Sequence, residues 1–155
     1  MMQFAYQDEP LRGPPPPTLP ATATLRWRPF IPVSIIGQTG KRRHYVRALL
    51  DTGADDTVFP VSVLAWIGVT PRPLSGHGLR WRGQAFALRF ADVTLEVSDG
   101  AQLWHWPAVV GFSPAPLRYP ILGVCGCLQF FDALFLGGQR VVELEINPSY
   151  PGATR

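Results

Sequence analysis

The stretch Leu49-Leu50-Asp51-Thr52-Gly53-Ala54-Asp55-Asp56-Thr57-Val58 constrains this chain more than any other. An apolar run delivers one carboxylate into a Thr-Gly turn, which reads as a buried strand ending abruptly at an acid. Burying an unpaired carboxylate is costly, so a fold keeps one there only if something compensates it or uses it. Asp51 is therefore a candidate functional residue. The plainer reading is a turn aspartate whose side chain caps nearby amides.

The 155 residues suffice for one domain with a real core. Hydrophobic residues make up 46% and charged ones 16%, a globular balance. Lys41 is the only lysine and glutamate is scarce, while Leu, Val, Ile and aromatics abound, which predicts an all-β chain. The 17 prolines and 15 glycines fit many turns between short strands. No apolar run reaches the ~18 residues that cross a bilayer. The first residues carry neither a basic nor an apolar leader region, so the expected location is cytoplasmic, with no membrane partner. A net charge of +3 with only short basic clusters, Arg42-Arg43-His44 and Arg80-Trp81-Arg82, argues against a nucleic-acid partner. Cys125 and Cys127 are too close for a favoured disulfide, and neither they nor His44, His77 and His105 show zinc-ligand spacing. No metal site and no cofactor are expected, and the two thiols read as small buried residues in a tight turn.

Residues 1–24, with Pro14-Pro15-Pro16-Pro17, read as a proline-rich flexible tail, 25–148 as the folded domain, and 149–155 as a C-terminal tail. Phe30 to Ile36 and His44 to Leu50 are predicted strands around a Gly37–Lys41 turn. Pro60 opens a short helix or marks a strand boundary. Trp81 to Phe90 and Val93 to Val97 alternate, Asp99-Gly100 signals a hairpin, and Leu103 to Val110 returns. Tyr119-Pro120-Ile121-Leu122-Gly123 is a second apolar run ending at glycine, and Gly126 to Phe131 is expected to form one short helix. Asp132 to Leu136 and Arg140 to Ile146 read as a closing hairpin.

Ala48 to Val58 closely resembles the active-site motif of the retroviral-type aspartic proteases, the retropepsins. Arg28-Pro29-Phe30-Ile31-Pro32-Val33-Ser34-Ile35-Ile36-Gly37 looks like the strand entering that family's first hairpin. Gly76-His77-Gly78 lies about where its flap tip falls, and Ile121-Leu122-Gly123 looks like the element that crosses beneath the active-site loop. The resemblance covers about residues 28–147 and points to a free-standing bacterial relative. It implies a closed β-barrel with a flap hairpin and one short helix.

Only one Asp-Thr-Gly is present, so the resemblance implies a homodimer with Asp51 contributed once by each subunit. Two carboxylates ~3 Å apart at an effective dielectric of ~20 repel by roughly 5 kcal/mol, enough to make the pair hold one shared proton. One then serves as base toward water while the protonated one polarises the scissile carbonyl. The implied activity is aspartic endopeptidase on a polypeptide substrate; a non-catalytic peptide- or protein-binding module of the same fold is the alternative. Thr52 would hold the two loops together, and Gly53 would admit substrate backbone. Ala54, Asp55 and Asp56 would meet the bound peptide, Gly76, His77 and Gly78 would form the flap, and Ile121 and Leu122 would line subsites.

Two departures stand out. Retroviral enzymes usually carry Arg where Val124 stands, so Asp55 loses its expected partner; either another basic residue serves, Arg118 being the candidate, or the local geometry differs. His77 replaces an apolar flap residue; touching substrate, it would make activity titrate near neutral pH, and otherwise it is a solvated loop residue. Val141 to Ile146 is expected to join the dimer sheet, which would also remove exposed edges.

Overall fold

Alternating side chains build strands, and the computed structural model, which describes Met1–Arg155, is made almost wholly of them. The chain opens with β1 (Met2–Ala5), β2 (Gln7–Pro10), β3 (Leu25–Arg28), β4 (Phe30–Ile36), β5 (Arg42–Leu50) and β6 (Val58–Pro60). A single short helix, α1 (Ser62–Ile67), follows, then β7 (Gly78–Trp81), β8 (Gln84–Ala87), β9 (Arg89–Ser98) and β10 (Leu103–Ser113). It ends with β11 (Ile121–Leu122), a 3-10 turn at Leu128–Phe130, β12 (Phe131–Leu136), β13 (Val141–Ile146) and β14 (Ala153–Thr154).

Six strands in the order β10-β6-β11-β5-β4-β9 form a barrel that closes because β9 also pairs with β10. Closure leaves no free edge among them. The β9–β10 hairpin is the longest pairing, from Leu103 opposite Ser98 to Phe112 opposite Arg89. Its turn is set by Asp99, whose Oδ1 accepts the N–H groups of Ala101 and Gln102 at 2.9 and 2.8 Å. Alternation then carries Ala91, Val93, Leu95 and Val97 inward, all buried. The all-β architecture, the closed barrel, the hairpin over it and the single short α-helix are as expected from the sequence.

Of the two places that offered a short helix, the chain uses the one after Pro60. Residues 126–131 make only the 3-10 turn, because Phe131 already starts β12 and leaves no length for α-helical bonds. The α-helix instead follows Pro60, which ends a strand, and is closed by Gly68 at φ 69°. Val63 and Ile67, four apart, turn one face of it into the core.

The N-terminal residues are not a free tail. Met2 and Phe4 alternate with Gln3 and Ala5, so β1 has a buried face and pairs with β13, Met2 opposite Leu144. β2 pairs with β3, Glu9 opposite Arg26. At the other end, β14 pairs with β10, Thr154 opposite Trp104, so the last residues are held as well. The strands β1-β13-β12 form a small sheet beside the barrel. The aromatic Phe131 stacks on Trp104 at 5.5 Å between ring centres and meets Trp106 edge-on at 5.1 Å. Trp106, fully buried, donates its Nε1–H to the Gly126 carbonyl at 2.9 Å, so no polar atom is stranded in this seam.

Met2→Ala and Phe4→Ala each remove a side chain buried against this sheet. Each is expected to lower stability by about 2–4 kcal/mol in urea denaturation. A dangling tail would give no change.

Candidate active site

The site begins where β5 runs out. Leu49 and Leu50 are 5% and 3% exposed, and the next residue, Asp51, surfaces beside the barrel wall. Its position is fixed from both sides of the backbone. The Asp51 N–H donates to the Leu122 carbonyl at 3.0 Å, and the Asp51 carbonyl accepts from the Ala54 N–H at 3.2 Å. Its side-chain Oδ1 accepts the Gly53 N–H at 2.9 Å, an Asx-type turn. The plainer reading of Asp51, a turn aspartate that caps a nearby amide, therefore holds. One oxygen caps the turn and orients the carboxylate, while Oδ2 takes no hydrogen bond from the chain.

β11 lies beneath this loop. Ile121 and Leu122 run parallel to Leu49 and Leu50, and Ile121 also pairs with Val58 of β6. The chain beyond continues under residues 54–57. The Val124 N–H donates to the Ala54 carbonyl at 2.9 Å, the Cys125 N–H to the Asp55 carbonyl at 2.8 Å, and the Thr57 N–H to the Cys125 carbonyl at 3.1 Å. The buried Thr57 hydroxyl accepts the Gly123 N–H at 3.2 Å. Gly123 is obligatory here, since a Cβ would fall 2.3 Å from the Asp56 carbonyl oxygen and 2.7 Å from that of Ala54.

The loop is held without the arginine expected at position 124, by backbone hydrogen bonds and by Thr57, and the Val124 side chain, 40% exposed, contributes nothing to it. Asp55 is exposed and makes no ion pair within the chain. Arg118 does not replace the missing arginine; it stands 3.8 Å from Glu9.

The hairpin over the site is β7–β8, with Gly78 opposite Ala87 and Trp81 opposite Gln84. Its tip is Arg82-Gly83, not Gly76-His77-Gly78. Both tip residues have positive φ, 49° and 80°, as a two-residue hairpin turn requires. Gly76, His77 and Gly78 lie at the hairpin's base instead, where the His77 carbonyl accepts the Leu88 N–H at 3.1 Å. The His77 ring is exposed and stands edge-on to Phe90 at 6.1 Å. Gly78 sits where a Cβ would approach the Phe86 carbonyl oxygen to 2.9 Å, so it serves strand pairing.

Two cavities meet at Ile121. One, of about 280 Å³, is lined by Gly53, Ala54, Asp55 and Asp56 below and by Gly78, Leu79 and Arg80 above. The other, of about 500 Å³, holds Asp51 with Leu49, Tyr119 and the hairpin residues Trp81 and Arg82. Of the candidates, Asp51, Gly53, Ala54, Asp55, Asp56, Gly78 and Ile121 thus line one cleft region; Thr52 is exposed on the loop, Leu122 is fully buried beneath it, and Gly76 and His77 stand aside.

Glu9 is the component that sequence reasoning missed. It is 5% exposed and accepts hydrogen bonds from Arg26 Nε at 3.0 Å, Arg28 Nη1 at 3.1 Å and the Tyr119 hydroxyl at 2.9 Å. Arg28 Nη1 also donates to the Tyr119 hydroxyl at 3.0 Å, which closes the network. Burial pushes the Glu9 carboxyl up, but the bonds from Arg28, Tyr119 and Arg26 and the charge of Arg28 together hold it below the usual carboxylate range. Burial, and then the bond to Glu9, pushes the Tyr119 hydroxyl up. The alternation of Met2 and Phe4 was the available signal that this segment is a strand. The thiols divide: Cys125 is exposed, while Cys127 is buried and its pKa is pushed up to about 12 by burial. No cluster of three or more metal-ligating side chains occurs, and no helix is long and apolar enough to cross a membrane.

No family model matches the chain, and no curated protein does. Among solved structures, an EIAV protease in complex with the inhibitor HBY-793 is similar over 62% of this chain and 81% of that one, at 23% identity and a TM-score of 0.44.

Two outcomes test this geometry. Gly123→Ala is expected to cost at least about 2–3 kcal/mol in urea denaturation, because the clash is with two carbonyl oxygens and not with a side chain that can move. Glu9→Gln is expected to lose about 1–3 kcal/mol at neutral pH. Because the folded Glu9 carboxyl lies below its ordinary value, its stabilisation is present above that value and lost as pH falls through the folded one. The urea midpoints of the two proteins should therefore converge on acidification.

Proposed function

We propose that this chain is a homodimeric aspartic endopeptidase in which two copies of Asp51 activate one water. The observation that carries the reading is the Asp51 turn: a carboxylate with Oδ1 tied to the Gly53 N–H and Oδ2 untied, lining the larger of two cavities that meet at Ile121. Such a group is oriented and still has a lone pair for a water or a second carboxylate.

The other carboxylate in the cavity of Asp51 is Glu9. Three donors hold it as a carboxylate, so it cannot supply the shared proton. A second Asp51 from a two-fold related copy meets the requirement, since the like-charge repulsion leaves one proton on the pair. In the proposed reaction, the ionised member takes a proton from water as it attacks the peptide carbonyl. The protonated member donates to the carbonyl oxygen, and the proton gained by the first goes to the departing amine. Thr52, exposed beside Asp51, would brace one loop against the other across the dimer. Gly53 and Ala54 would admit the peptide backbone, and Asp55 and Asp56 would meet it in the smaller cavity. Ile121 would floor both subsites, with Leu122 supporting the loop from below. The β7–β8 hairpin would close over the substrate and exclude water.

A peptide-binding module without turnover is the second reading, favoured by the same open cleft. The intact Asp51-Thr52-Gly53 turn, with its oriented carboxylate, favours the enzyme.

The purified protein should cleave an unstructured polypeptide most strongly at mildly acidic pH, where one proton resides on the pair, and Asp51→Asn should abolish cleavage. Equal behaviour of the two proteins from pH 4 to 7 would refute the enzyme. Sedimentation should show a dimer; a strict monomer at high micromolar concentration would eliminate the shared-pair mechanism.

A further inference from the structure

The two cavities that meet at Ile121 carry opposite charge. The smaller one presents Asp55 and Asp56 against a single cation, Arg80. The larger one, beside Asp51, is lined by five arginines, Arg12, Arg26, Arg28, Arg82 and Arg118, against two carboxylates, Glu9 and Asp51. The cations come from four separate parts of the chain: the loop after β2, strand β3, the hairpin tip and the segment before β11. They converge on one concave space of about 500 Å³, large enough for a side chain with its hydration displaced.

Part of this charge is already used. The carboxylate of Glu9 is held by Arg26, Arg28 and Tyr119, so the cavity wall demonstrably accommodates a carboxylate in guanidinium contact. The rest is not used. Arg118 Nη1 approaches Glu9 only to 3.8 Å, beyond hydrogen-bond distance, and Arg12 and Arg82 are exposed and belong to no ion pair. Arg82 sits at the tip of the hairpin, with its guanidinium 5.8 Å from the Trp81 ring. A concave wall of one sign focuses the field on whatever enters, and each guanidinium offers a planar fork of donors that fits a carboxylate.

We propose that this cavity is a subsite for a carboxylate of the bound polypeptide, gripped by Arg12, Arg82 and Arg118, so that the protein selects acidic sequence next to the position held over Asp51. The proposal rests on the reading that a polypeptide occupies the Asp51 cleft, and in a two-fold dimer the cavity occurs once per subunit, on either side of the Asp51 pair. The carboxylate comes from an internal Asp or Glu or from a peptide C-terminus. The hairpin tip contributes one of the three cations, so an acidic residue also draws the hairpin down over the peptide.

The test uses the full-length Asp51→Asn protein and fluorescence anisotropy. Labelled decapeptides of neutral sequence with amidated C-termini carry a single Glu, Gln or Lys, moved through every position. Glu should bind at least about tenfold tighter than Gln at one or two positions flanking the Asp51 pair, Lys should bind weakest there, and the gain should fade as salt rises from about 0.05 to 0.5 M. A neutral peptide with a free terminal carboxylate replaces the internal acid in a parallel arm; a gain confined to that arm assigns the terminus as the source. Arg12→Gln/Arg82→Gln/Arg118→Gln should abolish the positional gain. Arg82→Glu alone, at an exposed turn, should shift the preference toward Lys. Equal affinity for Glu and Gln peptides, an equal gain at every position, absence of peptide binding, or a gain that survives the triple substitution each overturns the subsite. Cleavage by the wild-type protein is read separately: selective binding without turnover would remove the endopeptidase and leave the subsite standing.

Discussion

The structure depends on how closely the chain passes under itself at Gly123. The segment that follows β10 slides beneath the Asp51 loop with no room for even a methyl group between the two backbones. That contact sets β11 parallel to β5 and antiparallel to β6, and so joins those two strands of the barrel through Ile121 and Leu122. It also holds the loop from below, since the carbonyl oxygens of Ala54 and Asp55 are taken by the N–H groups of Val124 and Cys125. An oriented carboxylate on an unsupported turn would sample many directions. Here the turn is part of a hydrogen-bonded layer, and only one oxygen of Asp51 is left uncommitted.

The second dependence is electrostatic. Glu9 draws Arg26, Arg28 and Tyr119 into one network, and Tyr119 in turn lies edge-on to Phe30 at 4.7 Å, in the first barrel strand. A residue near the start of the chain thereby positions a wall of the cavity that contains Asp51. Removing one partner would leave charged groups half-buried without compensation, a far larger penalty than the loss of a surface ion pair.

What the sequence made legible follows from which signals are local. Asp51 stood out because an apolar run ended on it, and Ile121-Leu122-Gly123 because a second apolar run ended on glycine. Strand periodicity gave most of the barrel, and Asp99-Gly100 gave its longest hairpin. The hairpin tip was misplaced because two glycines at 76 and 78 are a stronger local signal than Arg82-Gly83, where an arginine takes the positive φ. The N-terminal strands were missed because the proline run beyond them suggested an extension throughout. The partners that hold this segment, Arg26, Arg28, Tyr119 and Leu144, lie far along the chain and leave no mark on the local pattern. The replacement of the expected arginine by Val124 is likewise solved by backbone groups, to which side-chain identity gives no clue.

The pairing of β1 with β13 has a kinetic consequence. Gln3 and Glu143, hydrogen-bonded at 3.0 Å, are separated by 140 positions in sequence. On a ribosome, the first strand to emerge waits for nearly the last before it can pair, with its Met2 and Phe4 faces bare in the meantime. Topologies of this kind fold slowly and expose sticky edges while they do so. Until β13 is made, the apolar face of β1 has no partner strand and is open to pairing with a wrong neighbour.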